Sequence, residues 1–417
     1  MKCKVTVDTS HYPKEGHFEV PEGWAWCNFT EVADLISGQD FPPEKYNSNA
    51  QGTPYIIGAS NIEKGCLKIN RWTEYPSVLS QKGDVLVVCK GAGVGKVAVN
   101  DLGIVHIARQ IQAVRIQYDI VSSDFMRILI DWCVPSIVSQ ANGLIPGLKR
   151  ELLQGVLLPI PPQNEQERIV STVCEAYAII DDLEVKKEQI ESYIKKTKEQ
   201  VLDLAIHGKL VPQDASDEPS IKMLRRMNPA FKPSDNLHYK DCPKGWIIVT
   251  VADVFEINPK IQGDEDADAG FVPMTNIRDG FCNMFSFEVR KWAKIKNGFT
   301  RFANGDIAVA KISPCLENRK SVIMRDLPNG IGAGTTELNI FRSRVVDPEY
   351  GLLFFKSKYF INSCAGSYNG VVGQQRVSRS LIEEMQFLLP PLEEQKRIVA
   401  TINEYFAVIN EISYSLQ

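Results

Sequence analysis

The side chains in this sequence with the types and spacing to do chemistry favour recognition over bond-breaking. Between Glu288 and Arg325 stand nine Lys or Arg residues (Arg290, Lys291, Lys294, Lys296, Arg301, Lys311, Arg319, Lys320 and Arg325). Three acids oppose them (Glu288, Asp306 and Glu317), a local charge of +6, and Trp292, Phe299 and Phe302 interleave. A second polar stretch, residues 373–379, carries Gln374, Gln375, Arg376 and Arg379. Earlier in the chain come Lys90, Lys96, Arg109, Gln110, Gln112, Lys149 and Arg150. Arg and Gln can bond bidentately to guanine and adenine edges, while Lys suits phosphate. Candidate duplex contacts are therefore these seven together with Lys311, Arg319, Lys320, Gln374, Gln375, Arg376 and Arg379. Taken singly, each cluster is also what a solvated surface provides.

Catalytic patterns fail on inspection. Gly91-Ala92-Gly93-Val94-Gly95-Lys96 approaches a phosphate loop, but Lys90 stands where the pattern needs glycine and Val97 where it needs Ser or Thr. It reads as a tight turn between strands. Asp264, Glu265, Asp266 and Asp268 lack the Gly and Glu of a calcium loop, since Ala269 and Thr275 hold those places. They read as a solvated loop. No His-Glu-x-x-His and no Gly-x-Ser-x-Gly occurs.

The elements that must position the candidate contacts are duplicated. Residues 161–182 align with 390–411 at an offset of 229 without a gap, and 11 of 22 positions are identical. The shared core is Pro161-Pro162-x-x-Glu165-Gln166 and Pro390-Pro391-x-x-Glu394-Gln395. Weaker echoes precede it: Pro21-Glu22-Gly23-Trp24 against Pro243-Lys244-Gly245-Trp246, and Gly83-Asp84 against Gly305-Asp306. Each copy is a mixed globular domain, then a Pro-Pro, then a helix. Within the first copy, Val85–Val88 and Val97–Val99 read as strands, Ile107–Ile116 as β-rich and Phe125–Val138 as a helix. The second offers strands at Ile307–Ala310, Ser321–Met324 and Leu338–Phe341, and a helix over Leu352–Ser363.

After Pro162 the apolar residues fall alternately four and three apart. Ile169, Val173, Ala176, Ile180, Leu183, Ile190, Ile194, Val201 and Leu204 trace a heptad seam, with Lys187 and Thr197 as polar interruptions. The second copy repeats it with Ile398, Ile402, Tyr405, Ile409 and Ile412. Two matching stripes predict that the helices pair, the shorter covering only part of the longer. A helix of about 40 residues is about 60 Å long. Residues 163–206 hold ten acids and six bases, a net of −4. That suits either a solvated face or a dock for a basic partner.

The reading divides the chain into residues 1–160 (first recognition domain), 161–207 (first helix), 208–241 (linker), 242–389 (second recognition domain) and 390–417 (second, short helix). A length of 417 residues accommodates such a set. The formal net charge of −4 excludes a uniformly basic coat for nucleic acid but not a local basic face. Ten cysteines show no Cys-x-x-Cys pair and no Cys/His cluster, so they read as small hydrophobes in a reducing compartment, with no metal site. No segment has the apolar core of a signal peptide or a membrane span, so a soluble cytoplasmic protein without membrane partners is expected.

In order and motif the chain resembles the specificity subunits of type I restriction–modification systems. The resemblance rests on Leu157-Leu158-Pro159-Ile160-Pro161-Pro162 with Glu165-Gln166, on Leu388-Leu389-Pro390-Pro391 with Glu394-Gln395, on residues 207–219 (His-Gly-Lys-Leu-Val-Pro-Gln-Asp, then Asp-Glu-Pro) and on the two Pro-x-Gly-Trp openings. It implies an α/β (α+β) chain of two tandem target-recognition domains. Each domain is followed by a long conserved helix, and the helices pair as an antiparallel coiled coil. It implies that each domain reads half of a bipartite double-stranded DNA target. The helices would set the spacing and dock two methyltransferase subunits, which restriction/translocase subunits join. The chain would be non-catalytic and bind no cofactor, with S-adenosylmethionine, ATP and Mg on the partners. Lengthening the helix near Lys187 would lengthen the preferred gap between half-sites. Other readings are the specificity subunit of another modification or defence complex, a nuclease with an unrecognised site, or a coiled-coil scaffold.

Overall fold

The computed structural model describes residues 18–91, 93–140, 147–233, 242–365 and 376–416. The chain divides into two compact units, one up to Leu183 and one from Glu184 onward.

In unit 1 a four-stranded antiparallel sheet runs in the order Ala33–Ser37, Ile111–Ile116, Val85–Val88, Val97–Val99. Val85 to Val88 are wholly buried because both faces of the sheet are covered. Alternate residues point to opposite faces. Val85, Val87 and Val114 therefore pack with helix Ser123–Gln140, through Met126 and Ile130. Leu86, Val88 and Ala113 instead meet Ile56, Val105 and Ile107 of a second sheet. That sheet runs Trp72–Thr73, Thr53–Ile56, Val105–Ile107, Leu79–Ser80, with its central pair parallel. A separate ladder joins Ala25–Asn28 to Leu157–Ile160.

Unit 2 repeats the plan. One sheet runs Glu256–Ile257, Leu338–Arg342, Ile307–Ala310, Ser321–Ile323; the other runs Glu288–Lys291, Asp268–Val272, Ile331–Gly334, Thr300–Ala303. Asp268–Val272 and Ile331–Gly334 form the parallel pair. The helix expected over Leu352–Ser363 is two helices, Pro348–Lys356 and Lys358–Ala365, broken at Ser357. Asp347 caps the first, accepting from the N–H groups of Glu349 (2.9 Å) and Tyr350 (3.3 Å). Both units also bury an acid against an arginine. Asp84 takes two bonds from Arg115 (3.0 and 2.7 Å), and Asp306 takes two from Arg342 (2.6 and 2.8 Å).

The duplicated Pro-Pro-x-x-Glu-Gln motif is a clamp. Gln166 donates to the carbonyls of Ile120 (2.7 Å) and Pro161 (3.0 Å) and accepts from the Ser122 N–H (2.9 Å). Gln395 donates to Val345 (3.4 Å) and Pro390 (3.0 Å) and accepts from Asp347 (2.7 Å). Each amide ties the start of its helix to the loop before the domain's own helix. From these clamps run a long helix, Gln163–Ile206, and a C-terminal helix, Leu392–Ser415.

The two helices meet antiparallel where the long helix enters unit 2. Lys198 donates to the Asn410 Oδ1 (2.6 Å) and stands 5.5 Å from the Phe406 ring, while Val201 and Ala205 share a core with Ile398 and Ile402. Ile194, Val201 and Ile409 of the seam are half-buried, and Leu204 is exposed. At the other end Ile169 and Val173 are half-buried on unit 1. Between these ends Ile180, Leu183 and Ile190 are exposed, as are Tyr405 and Ile412.

The stretch read as a linker is packed over much of its length. Gly208, at φ +66°, ends the long helix where a Cβ would fall 2.4 Å from Pro243 Cγ. Asp217 pairs with Arg397 (2.6 Å), Gln213 donates to Glu394 (3.2 Å), and helix Ser220–Met227 buries Met223 and Leu224. Burial pushes the thiols of Cys89, Cys133 and Cys364 up to about 12. Among the described residues no helix is long and apolar enough to cross a membrane. No group of three His, Cys, Asp or Glu there could hold a metal ion.

Candidate nucleic-acid interface

One edge of unit 1 gathers several of the candidate side chains. Beyond strand Val85–Val88, Cys89 accepts from the Leu148 N–H (2.8 Å), and its own N–H donates to the Gln110 carbonyl (2.7 Å). Lys90 pairs with Gly147 in an isolated bridge. Gln112 lies in register with Val87 and Ser37, and Arg150 donates to the Ser37 hydroxyl (3.1 Å). Three chain segments thus converge on one sheet edge, with Lys90, Arg109, Gln110 and Lys149 all exposed. No described acid lies within ion-pair distance of Lys90 or Lys149. Arg109 pairs with Asp40 (3.1 Å). Gln112 is buried, and its Oε1 accepts no hydrogen bond among the described residues. Such an edge offers two cations of the kind that suit phosphate and one exposed amide that can read a base.

Unit 2 builds the equivalent edge with different residues. Ile312 bridges Arg376, and Val377 donates to the Lys311 carbonyl (3.1 Å), as Leu148 does to Cys89. The Lys311 N–H donates to the Glu337 carbonyl (3.0 Å), which places Glu337 where unit 1 has Gln110. Arg376 holds Glu337 through two bonds (2.9 and 2.6 Å) and keeps its carboxyl below the usual carboxylate range. Arg379 pairs with Glu383 (2.6 Å). Gln374 and Gln375 lie outside the described residues. Glu337 carried no signal in a search for basic residues. Aligning the copies on Gly83-Asp84 and Gly305-Asp306 and following the next strands would have found it.

Three other candidates are tied to their own domain: Lys96, though exposed, half-buried Lys320 and buried Arg319. Lys96 donates to the carbonyls of Ala59 and Ile62 (both 3.2 Å), and Lys320, its counterpart, donates to Met274 (3.1 Å) and Ile277 (2.9 Å). Each lysine closes the hairpin after the central strand onto a one-turn 3-10 helix. Arg319 is 8% exposed, stacked 4.6 Å from the Phe281 ring. It donates to the Lys356 carbonyl (3.0 Å) and to Glu199 of the long helix (2.7 Å). Beneath it Lys356 is 1% exposed, donating to the carbonyls of Gly280 (2.8 Å) and Arg319 (2.9 Å); burial lowers its pKa to about 7.

Residues 243–416 match the family model of the type I restriction modification DNA specificity domain. The specificity subunit of the type I restriction enzyme EcoAI from Escherichia coli is 40% identical over 238 residues, covering 52% of this chain and 40% of that subunit. The EcoKI specificity subunit from Escherichia coli strain K12 is 24% identical over 427 residues, covering 94% and 84%. The matched segment thus spans less than half the length of the EcoAI and EcoEI subunits, 40% in each. A chain from a solved type I R-M system superposes with a TM-score of 0.66 at 15% identity, over 96% of this chain and 94% of that one, and so shares its fold.

Proposed function

We propose that this chain is a specificity subunit of the type I restriction kind and reads a bipartite DNA duplex, one half-site per globular unit. The observation that carries this is the repeated edge. Equivalent strand ends present Lys90, Gln110 and Lys149 in unit 1 and Lys311, Arg376 and Arg379 in unit 2. A duplicated reader with changed side chains is what two different half-sites require. The two helices set the gap between half-sites and dock two methyltransferase subunits, which restriction/translocase subunits join. S-adenosylmethionine, ATP and Mg belong to those partners, and this chain performs no bond-breaking step.

The test is to map methylated bases across the source genome with and without this gene. Loss of one split motif, two short half-sites around a constant gap, supports the reading. Retention of every motif while the methyltransferase subunits are expressed overturns it. A four-residue insertion near Lys187 tests the spacing role. The helix is exposed on every face from Cys174 to Tyr193, so an added turn of about 6 Å disturbs no packed side chain and lengthens the gap by about two base pairs. An unchanged gap overturns that role.

A further inference from the structure

We propose that Arg376 of unit 2, held in place by Glu337, reads a guanine in the half-site of that unit. The inference deepens the DNA-reading function proposed above and rests on it. It starts from the ion pair at the edge where Ile312 bridges Arg376. Arg376 Nε donates to Glu337 Oε2 (2.9 Å) and Nη2 to Oε1 (2.6 Å), a two-bond fork that fixes the plane of the guanidinium. The two members are unequally exposed, Arg376 at 59% of its side chain and Glu337 at 20%. Arginine is thus the outer member, which meets an arriving duplex, and glutamate the inner one, which positions it.

Glu337 is itself anchored. Its N–H donates to the Thr335 hydroxyl (3.2 Å), and its carbonyl accepts from the Lys311 N–H (3.0 Å). The next residue opens strand Leu338–Arg342. The bonds from Arg376 hold its carboxyl below the usual carboxylate range, so the pair stays ionised at neutral pH. Arg379 bonds Glu383 of its own helix through Nε (2.6 Å), a single point that leaves its plane to turn.

A guanidinium carries five N–H groups. Glu337 engages Nε–H and one Nη2–H, which leaves the hydrogens of Nη1 and the second of Nη2 on the edge turned away from the carboxylate. Two parallel donors on that edge match the O6 and N7 acceptors of guanine in the major groove. Adenine pairs an acceptor with a donor there, thymine offers one acceptor and cytosine a donor. Because Glu337 balances its charge, Arg376 suits a base edge better than a phosphate. The carboxylate also fixes the long side chain before the duplex arrives, so less rotamer freedom is lost on binding. Unit 1 places Gly147 where unit 2 has Arg376 and Gln110 where it has Glu337. The guanine requirement of this position therefore falls on one half-site.

The test uses the full-length chain with its methyltransferase partners. It is titrated, by anisotropy, into the mapped split target and into duplexes with each fixed base pair replaced in turn. Replacing one G·C pair in one half-site should weaken binding about tenfold or more. Arg376→Lys keeps the charge without the fork, and Glu337→Gln keeps the shape without the carboxylate. Each should erase the penalty at that pair and leave the penalties of the other half-site unchanged; circular dichroism checks folding. Penalties that survive at every position in both variants overturn the proposal, as does a penalty erased at an A·T pair. Uniform weakening of all duplexes by Arg376→Lys overturns it too. If Arg376 gripped phosphate instead, Glu337→Gln would tighten every duplex and keep every penalty, which also overturns it. A split target with unaltered penalties defeats this assignment alone, whereas a chain that reads no split target defeats the reading beneath it as well.

Discussion

Replacing Gln395 by methionine tests whether the duplicated motif holds each helix to its domain. The side chain is wholly buried, so methionine, of similar length and volume, adds little cavity cost and isolates the polar loss. The Asp347 N–H, now bonded at 2.7 Å, becomes a buried orphan donor, at about 1–3 kcal/mol. The carbonyls of Pro390 (3.0 Å) and Val345 (3.4 Å) lose one bond each, the longer worth less, at about 0.5–1 kcal/mol apiece. The sum is about 3 kcal/mol. Asp347 also caps helix Pro348–Lys356, so the disturbance reaches the helix start. Urea unfolding followed by pulsed hydrogen exchange and mass spectrometry separates the units by peptide. At a slope of about 3 kcal/mol per molar, the unit 2 midpoint should fall by about 1 M while unit 1 holds. Gln166→Met should do the converse. A shift in unit 2 below about 0.2 M, or an equal shift in both units, would refute the clamp.

Three further outcomes follow from the same structure. Asp306→Ala leaves Arg342 partly buried without its carboxylate and the Ala303 N–H without its acceptor (2.7 Å); unit 2 should lose about 3–5 kcal/mol in the same unfolding assay. Lys356 binds fewer protons folded, with a pKa of about 7, than unfolded, near 10.5. Its contribution to stability is therefore lost as pH falls through about 7 and grows toward 10.5. Unit 2 should gain about 2 kcal/mol between pH 7 and 9, and Lys356→Met should flatten that rise. Lys90→Ala with Lys149→Ala should weaken duplex binding for all sequences and reduce the slope of log K against log salt by about 2, measured by anisotropy at several salt concentrations. An unchanged slope would remove both lysines from the interface.

The architecture was legible where a pattern recurs over many residues. The Val85–Val88 and Ile307–Ala310 runs announced buried strands, and the two matching apolar stripes announced two helices, whose antiparallel sense came from the resemblance and not from the stripes. The job of Gln166 and Gln395 was not legible. The repeat marked them, but beyond the Pro161 and Pro390 carbonyls their partners are backbone groups 44 to 50 residues away, and a backbone group carries no sequence signal. The segment after the long helix was read as a linker because it is polar and proline-bearing. Besides the short helix that buries Met223 and Leu224, single residues hold it, among them one glycine against Pro243 and one carboxylate on Arg397. Neither leaves a periodic trace.

The basic cluster between Glu288 and Arg325 shows why charge counted along a chain misleads. Five of its nine cations meet acids from outside that window: Lys291 with Asp268, Lys296 with Glu265, Arg319 with Glu199, Lys320 with Asp279 and Arg325 with Glu349. Two of its three aromatics, Trp292 and Phe302, are core residues at 2% and 0% exposure. A strand that crosses a domain brings its charges to acids that sequence proximity cannot see, so a local +6 becomes a set of pairs. The opposite happens in unit 1. Lys90, Gln110 and Lys149 are scattered over 60 residues, yet one sheet edge gathers them, and neither lysine meets an acid among the described residues. A partner feels the field that survives pairing rather than the sum along the chain. The modest edge of unit 1 is for that reason a better candidate to grip phosphate than the richest basic stretch in the sequence.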